Sequence, residues 1–163
     1  MKSLLLALAI VITAGFNIKA AAPGKVKVYL FIQTQCPCIY SHKETFGKLL
    51  KTYRSQVEFT AVFSDSNDSD KDIQDLMGDL GWKMPYVKDT RHRLLMQLHP
   101  RVSTDVVLLD AAGKVLYKGA IDDGPSNMGM VKHFYLQDAL EACLKHLPVP
   151  VSSAPGRGCL LQY

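Results

Sequence analysis

The chain has 163 residues, 48% of them hydrophobic, with 19 basic against 15 acidic side chains, a formal charge of +4 and four cysteines. The basic residues are scattered rather than clustered, which excludes a nucleic-acid footprint and makes a solvated surface a sufficient account of them. No internal repeat or low-complexity tract breaks the chain.

Met1-Lys2 supplies a short positive segment, Leu4 to Phe16 an apolar stretch, and Ala20-Ala21-Ala22 the small residues a signal peptidase needs. Residues 1–20 therefore read as a secretory signal peptide, with cleavage near 20–22. From Ser3 to Ile18 there are 16 uncharged residues, fewer than the roughly 20 a spanning helix requires. No stable membrane insertion is expected after cleavage, and the mature protein is expected to be exported, periplasmic or secreted. Losing Lys2 and Lys19 takes the charge from +4 to +2. What remains is about 140 residues, one domain's worth, enough to bury a core without disulfide staples. Residues 25–147 are the expected domain and 148–163 a tail carrying Cys159.

Val26 to Gln33 is rich in Val, Ile and aromatics, the composition of a buried strand. Ile39, Phe46, Leu49, Leu50 and Tyr53 then recur at helical spacing, and Val57 to Phe63 returns to strand character. Together these predict a β-α-β unit with two parallel strands. Ser64 to Asp72 reads as a polar turn in which Ser69 or Asp70 caps a helix running to about Leu80, with Gly81 as its stop. The aspartates of that turn read as a solvated, helix-capping loop. A short helix is expected across Thr90 to Leu98. Val106 to Leu109 and Val115 to Ile121 flank Asp110-Ala111-Ala112-Gly113-Lys114, a hairpin signal. A last helix is predicted from about His133 to Leu147, burying Leu136, Ala139, Leu140, Cys143 and Leu147, and Ser152 to Gly158 reads as a mobile linker. This order, β-α-β, helices, β-hairpin, helix, predicts an α/β thioredoxin-like fold with a central mixed sheet flanked by helices.

Cys36-Pro37-Cys38 falls where the first strand gives way to a helix. With Cys36 as N-cap and Pro37 at N1, the proline has its preferred φ and gives up only an amide without a helical partner. The Cys36 sulfur then faces the free amides of the first turn, which favours the thiolate. Cys36 is thus the expected nucleophile and Cys38 the thiol that attacks a mixed disulfide on it. Within a regular α-helix the two Cβ vectors diverge by roughly 160°, so a Cys36–Cys38 disulfide is expected to be strained and labile. Cys159, between Gly158 and Leu160, is a possible resolving thiol, with a bridge to Cys143 or a free thiol as the alternatives. Cys143 sits on the apolar face of its helix, where packing suffices. His42 follows Cys38 by four residues, so Cys36, Cys38 and His42 form an alternative soft-metal set; beside Lys43 and Glu44, His42 also reads as simply exposed.

Gln35-Cys36-Pro37-Cys38, Leu108-Leu109-Asp110 with Gly113 beyond, Tyr117-Lys118-Gly119-Ala120-Ile121-Asp122-Asp123 and Gly158-Cys159 resemble the exported thioredoxin-like redoxins, related to the alkyl hydroperoxide reductase and thiol-specific antioxidant families. The resemblance implies a thiol-disulfide oxidoreductase of cell redox homeostasis with no organic cofactor. Its partners would be a protein or small-molecule disulfide or thiol substrate and a reductant. A peroxiredoxin-like peroxidase and a copper-binding chaperone or sensor are the alternatives. The chain departs from thioredoxins at Thr104, where they carry a cis-proline; a cis bond before threonine would cost about 3 kcal/mol, so trans is expected.

Overall fold

The computed structural model describes residues 24–124 and 130–162; the expected signal peptide lies outside them. Strand β1 (Val26–Ile32) turns at Gln33–Cys36 into a 3₁₀ helix (Pro37–His42) that leads directly into α1 (Lys43–Tyr53). Then follow β2 (Val57–Phe63), α2 (Asp70–Leu80), β3 (Tyr86–Lys88), α3 (Arg93–Leu98), β4 (Val106–Leu109), β5 (Val115–Gly119), α4 (Tyr135–Leu144) and β6 (Ser153–Ala154). The six strands form one mixed sheet in the order β3-β2-β1-β4-β5-β6. β1 pairs in parallel with β2 from Val26↔Val57 to Ile32↔Phe63, and antiparallel with β4 from Lys27↔Leu109 to Leu30↔Val106. The fold is thioredoxin-like, as the element order predicts.

Alternation along the central strands divides the core in two. Val28, Leu30 and Ile32 of β1 join Phe46, Leu49 and Leu50 of α1, Ile73, Leu76 and Leu80 of α2 and Leu136, Ala139 and Leu140 of α4 in the larger cluster. Tyr29 and Phe31 belong instead to a smaller cluster with Val62, Val107, Leu109, Leu95 and Leu98 of α3, and Leu161 of the tail. Phe46 is the hub of the larger cluster, edge-on to Phe59 at 5.8 Å and 4.7 Å from Trp82 between ring centroids. Ser69 caps α2 by accepting from the Asp72 amide, and Gly81 ends it at φ 67°, a conformation glycine adopts without steric cost.

Four expectations are corrected. The helix after Cys36 opens as 3₁₀ rather than α. β3 reads as no strand in the sequence, because three residues with two exposed side chains carry no period. α4 stops at Leu144 and leaves Leu147 58% exposed instead of buried. Ser152 to Gly158 is no mobile linker: Ser153 and Ala154 pair with Lys118 and Gly119 as a sixth strand.

Candidate active site

The carboxyl end of β1 is held on both sides. The Phe31 amide donates to the Asp105 carbonyl at 2.9 Å and the Thr104 amide to the Phe31 carbonyl at 2.7 Å, while the Gln33 amide donates to Ser103 Oγ at 3.1 Å. One turn on, the Thr34 amide and hydroxyl both donate to Asp68 Oδ1, at 2.8 and 2.6 Å. Asp68, expected in a solvated loop, is 2% exposed. Burial pushes its carboxyl above the ordinary value, against the opposing bonds from Thr34. These contacts fix the loop from which Cys36 enters the helix; its amide donates to the Gln33 carbonyl at 3.1 Å.

Cys36 is the N-cap, with extended backbone (φ −96°, ψ 108°), and Pro37 occupies the first turn. The 3₁₀ form alters the relation of the two thiols. At three residues per turn, positions i and i+2 diverge by roughly 120°, less than in an α-helix. The same geometry stacks Ile39 and His42, three residues apart, on one buried face.

The third thiol arrives from the far end of the chain. Past β6 the tail crosses the segment before β4: the Ser103 amide donates to the Cys159 carbonyl at 2.8 Å and the Leu161 amide to the Arg101 carbonyl at 3.1 Å, an antiparallel bridge centred on Val102 and Leu160. The Thr104 hydroxyl donates to the Arg157 carbonyl at 3.2 Å. This seats the Cys159 amide 3.3 Å from Cys36 Sγ, to which it donates. The bond before Thr104 is trans, as expected, there being no cis peptide among the described residues, and Thr104 adopts φ 87°.

Cys36, Cys38 and Cys159 are all free thiols, and the Cys159 amide is bonded to Cys36 Sγ. Burial pushes the Cys36 thiol up, but bonds from the Cys159 side chain and amide and from Cys38 together outweigh it and leave Cys36 below the ordinary value. Its partners move the other way. Burial, then the hydrogen bond and charge of Cys36, raise Cys38. Cys159 is pushed up to about 11, first by its bond to Cys36, then by burial and the neighbouring charges. The surroundings therefore favour the thiolate at Cys36 and the thiol at Cys38 and Cys159. When Cys36 becomes part of a disulfide its charge vanishes, and with it a main reason for the raised values of the other two.

Cys143 is not brought to this group. It is half-buried at the edge of the larger core, beside a cavity lined by Val26, Asp110 and Leu147, so the Cys143–Cys159 pairing is not assembled. Burial, then the Asp110 charge, raise its thiol.

His42 is corrected on both of its readings. It is 2% exposed, and its Nδ1 lies 2.9 Å from Asp122 Oδ1, off the line of a hydrogen bond. Asp122 Oδ1 also accepts from the Gly124 amide at 3.0 Å. The set Cys36, Cys38 and His42 is not formed, and among the described residues no group of three or more His, Cys, Asp or Glu is arranged to hold a metal. Sequence reasoning missed Ser103 and Asp68 as positioning groups. The only linear sign of the docked tail was Gly158 beside Cys159.

A mixed sheet flanked by helices, with paired thiols at the carboxyl end of its central strand, is a thioredoxin-like fold. A scan against family models finds no match, and neither does a comparison with curated proteins. Among solved structures the chain is similar to an uncharacterized conserved protein from Geobacillus kaustophilus, at 26% identity and TM-score 0.76 over 85% of this chain and 77% of that one. It is also similar to a thioredoxin-like protein solved in its oxidized form, at 16% identity and TM-score 0.60 over 76% and 80%. A third similarity is to a thioredoxin-like protein from Aeropyrum pernix, at 16% identity and TM-score 0.54 over 77% and 80%. Among the described residues no helix is long and apolar enough to cross a membrane.

Proposed function

We propose that the protein is an exported thiol-disulfide oxidoreductase with Cys36 as nucleophile and Cys38 and Cys159 as alternative resolving thiols. The observation that carries this reading is the Cys159 amide donating to Cys36 Sγ, with Cys36 at the N-cap position of a helix and Cys38 two residues on. The Cys36 thiolate attacks one sulfur of a substrate disulfide; a new S–S bond forms, the substrate's bond breaks, and the departing sulfur leaves as thiolate and takes a proton. Cys36 is then neutral. Cys38 or Cys159 deprotonates, attacks Cys36 Sγ and releases the second substrate sulfur. The substrate gains two electrons, and the protein is left with a Cys36–Cys38 or Cys36–Cys159 disulfide that a reductant partner returns to the dithiol. Run backwards, the same two exchanges oxidise a substrate dithiol. In that direction the second substrate thiol attacks the substrate sulfur of the mixed disulfide and Cys36 departs, and its lowered pKa makes it the better leaving group.

The test is exchange between the reduced protein and oxidised glutathione, with peptide mass spectrometry assigning the bonds formed. The expected result is a mixed disulfide on Cys36 that resolves to one of the two intramolecular bonds, and no exchange by Cys36→Ser. Exchange that survives in Cys36→Ser would refute the reading. Consumption of peroxide, abolished in the same variant, without disulfide exchange would replace it with a peroxidase.

A further inference from the structure

The reacting sulfur is hidden: Cys36 is 1% exposed, and the segment in contact with its sulfur from outside the loop is Cys159. The cover is an extended strand. It is held on the Arg101–Ser103 backbone by the Leu161 amide and the Cys159 carbonyl, and by the Thr104 hydroxyl at Arg157. Its seating is specific. A Cβ at Gly158 would run into the Ser103 carbonyl oxygen, and one at Gly156 into Asp105 Oδ1 and, at 2.9 Å, Val102 Cγ2; only glycine lets the chain approach so closely. Yet its hold on the protein is narrow. Among the described residues Leu161 is its one buried apolar side chain beyond Gly158, while Cys159 is exposed and Leu160 is 73% exposed. Most of the attachment is main-chain hydrogen bonding, which any extended polypeptide can supply with its own amides and carbonyls.

We propose that residues 158–161 are a displaceable strand that closes the Cys36 site, and that an extended, cysteine-bearing polypeptide opens it by taking over the pairing with Arg101–Ser103. This rests on Cys36 being the reacting sulfur. The tail already presents what such a partner would bring, a cysteine flanked by small and apolar residues and delivered by backbone pairing to Cys36. A small disulfide has no backbone with which to displace the tail and reacts only when the strand opens by itself. The closed strand therefore favours polypeptide substrates and shields the thiolate from adventitious oxidants and alkylators.

The test uses the full chain and reads access rather than exchange. The alkylation rate of Cys36 by iodoacetamide is followed by peptide mass spectrometry across pH, so that the plateau reports the reactivity of the fully ionised sulfur. Gly158→Val, which cannot seat against Ser103, is expected to raise the plateau at least tenfold, and Leu161→Asp to raise it similarly. Adding the peptide Arg-Gly-Ser-Leu-Leu-Gln, the tail sequence with serine for cysteine, is expected to restore slow alkylation in Gly158→Val. Amide hydrogen exchange at Ser103 is expected to accelerate in both variants and to slow again with the peptide. Equal plateaus in the wild type and both variants would overturn the proposal, as would a fast plateau that the peptide leaves unchanged. Because alkylation requires no disulfide exchange, an inert exchange assay with a tail-dependent plateau would refute the oxidoreductase reading and keep the closure. Normal exchange with a tail-independent plateau would do the reverse.

Discussion

Replacing Cys159 by alanine should raise the pKa of Cys36. The substitution removes the side-chain hydrogen bond that, after the opposing effect of burial, contributes most to the low value of Cys36, but keeps the Cys159 amide 3.3 Å from the sulfur. A hydrogen bond to a charged group contributes about 1.5–3 kcal/mol when shielded from water. Cys159 is exposed and its S–H is a weak donor, so the low end applies. The midpoint is read from the pH dependence of Cys36 alkylation, resolved by peptide mass spectrometry. Cys159→Ser, with a stronger O–H donor in the same place, should keep the wild-type midpoint or lower it. An unchanged midpoint in Cys159→Ala, or equal shifts for alanine and serine, would refute the assignment of that bond and leave the side chain a steric role only.

Three further outcomes follow from the packing and the buried charges. His42→Ala would empty a buried position and remove the ring 2.9 Å from the buried Asp122 carboxyl; urea unfolding should register a loss of about 1–3 kcal/mol, whereas an exposed His42 would give almost none. Phe46→Ala, at the hub of the larger core, should destabilise by about 3–5 kcal/mol in the same assay. Asp105 has a carboxyl raised chiefly by burial, against the opposing bonds from the Arg101 and Val102 amides. The native state therefore holds that proton after the unfolded chain has released it, and this group's contribution to stability falls as pH rises from the ordinary carboxylate value through the raised one. Asp105→Asn should remove that slope from a series of urea midpoints taken across the acid range, and an unchanged slope would contradict the shift.

The parts of the fold legible in the sequence are those with a period long enough to read. Val57–Phe63 and Val106–Leu109 have the predicted bounds, and α2 runs from its Ser69 cap to Gly81. β3 and β6, three and two residues long, show no alternation, and β6 is held by main-chain pairing with Lys118 and Gly119, which side-chain patterning does not reveal. His42 reads as exposed because Lys43 and Glu44 follow it. Its burial comes from the 3₁₀ turn that sets it over Ile39, and from Asp122, 80 positions away in sequence. At the site, Cys36 as N-cap and Pro37 behind it were readable from local chemistry alone. The seat of Cys159 beside Cys36 was not, because it depends on two glycines that allow the tail to touch the segment before β4. In a linear reading those glycines mark flexibility; in the fold they mark close contact.

The central claim is that Cys36 shares one redox couple with Cys38 or Cys159. Its most direct test is equilibration of the protein in glutathione buffers of graded potential, with mass spectrometry assigning the disulfides at each step. The account predicts a single two-electron transition localised to Cys36 and one of those two partners. Thiols at Cys36 that stay reduced across the oxidising range, or a transition confined to Cys143 and Cys159, would contradict it.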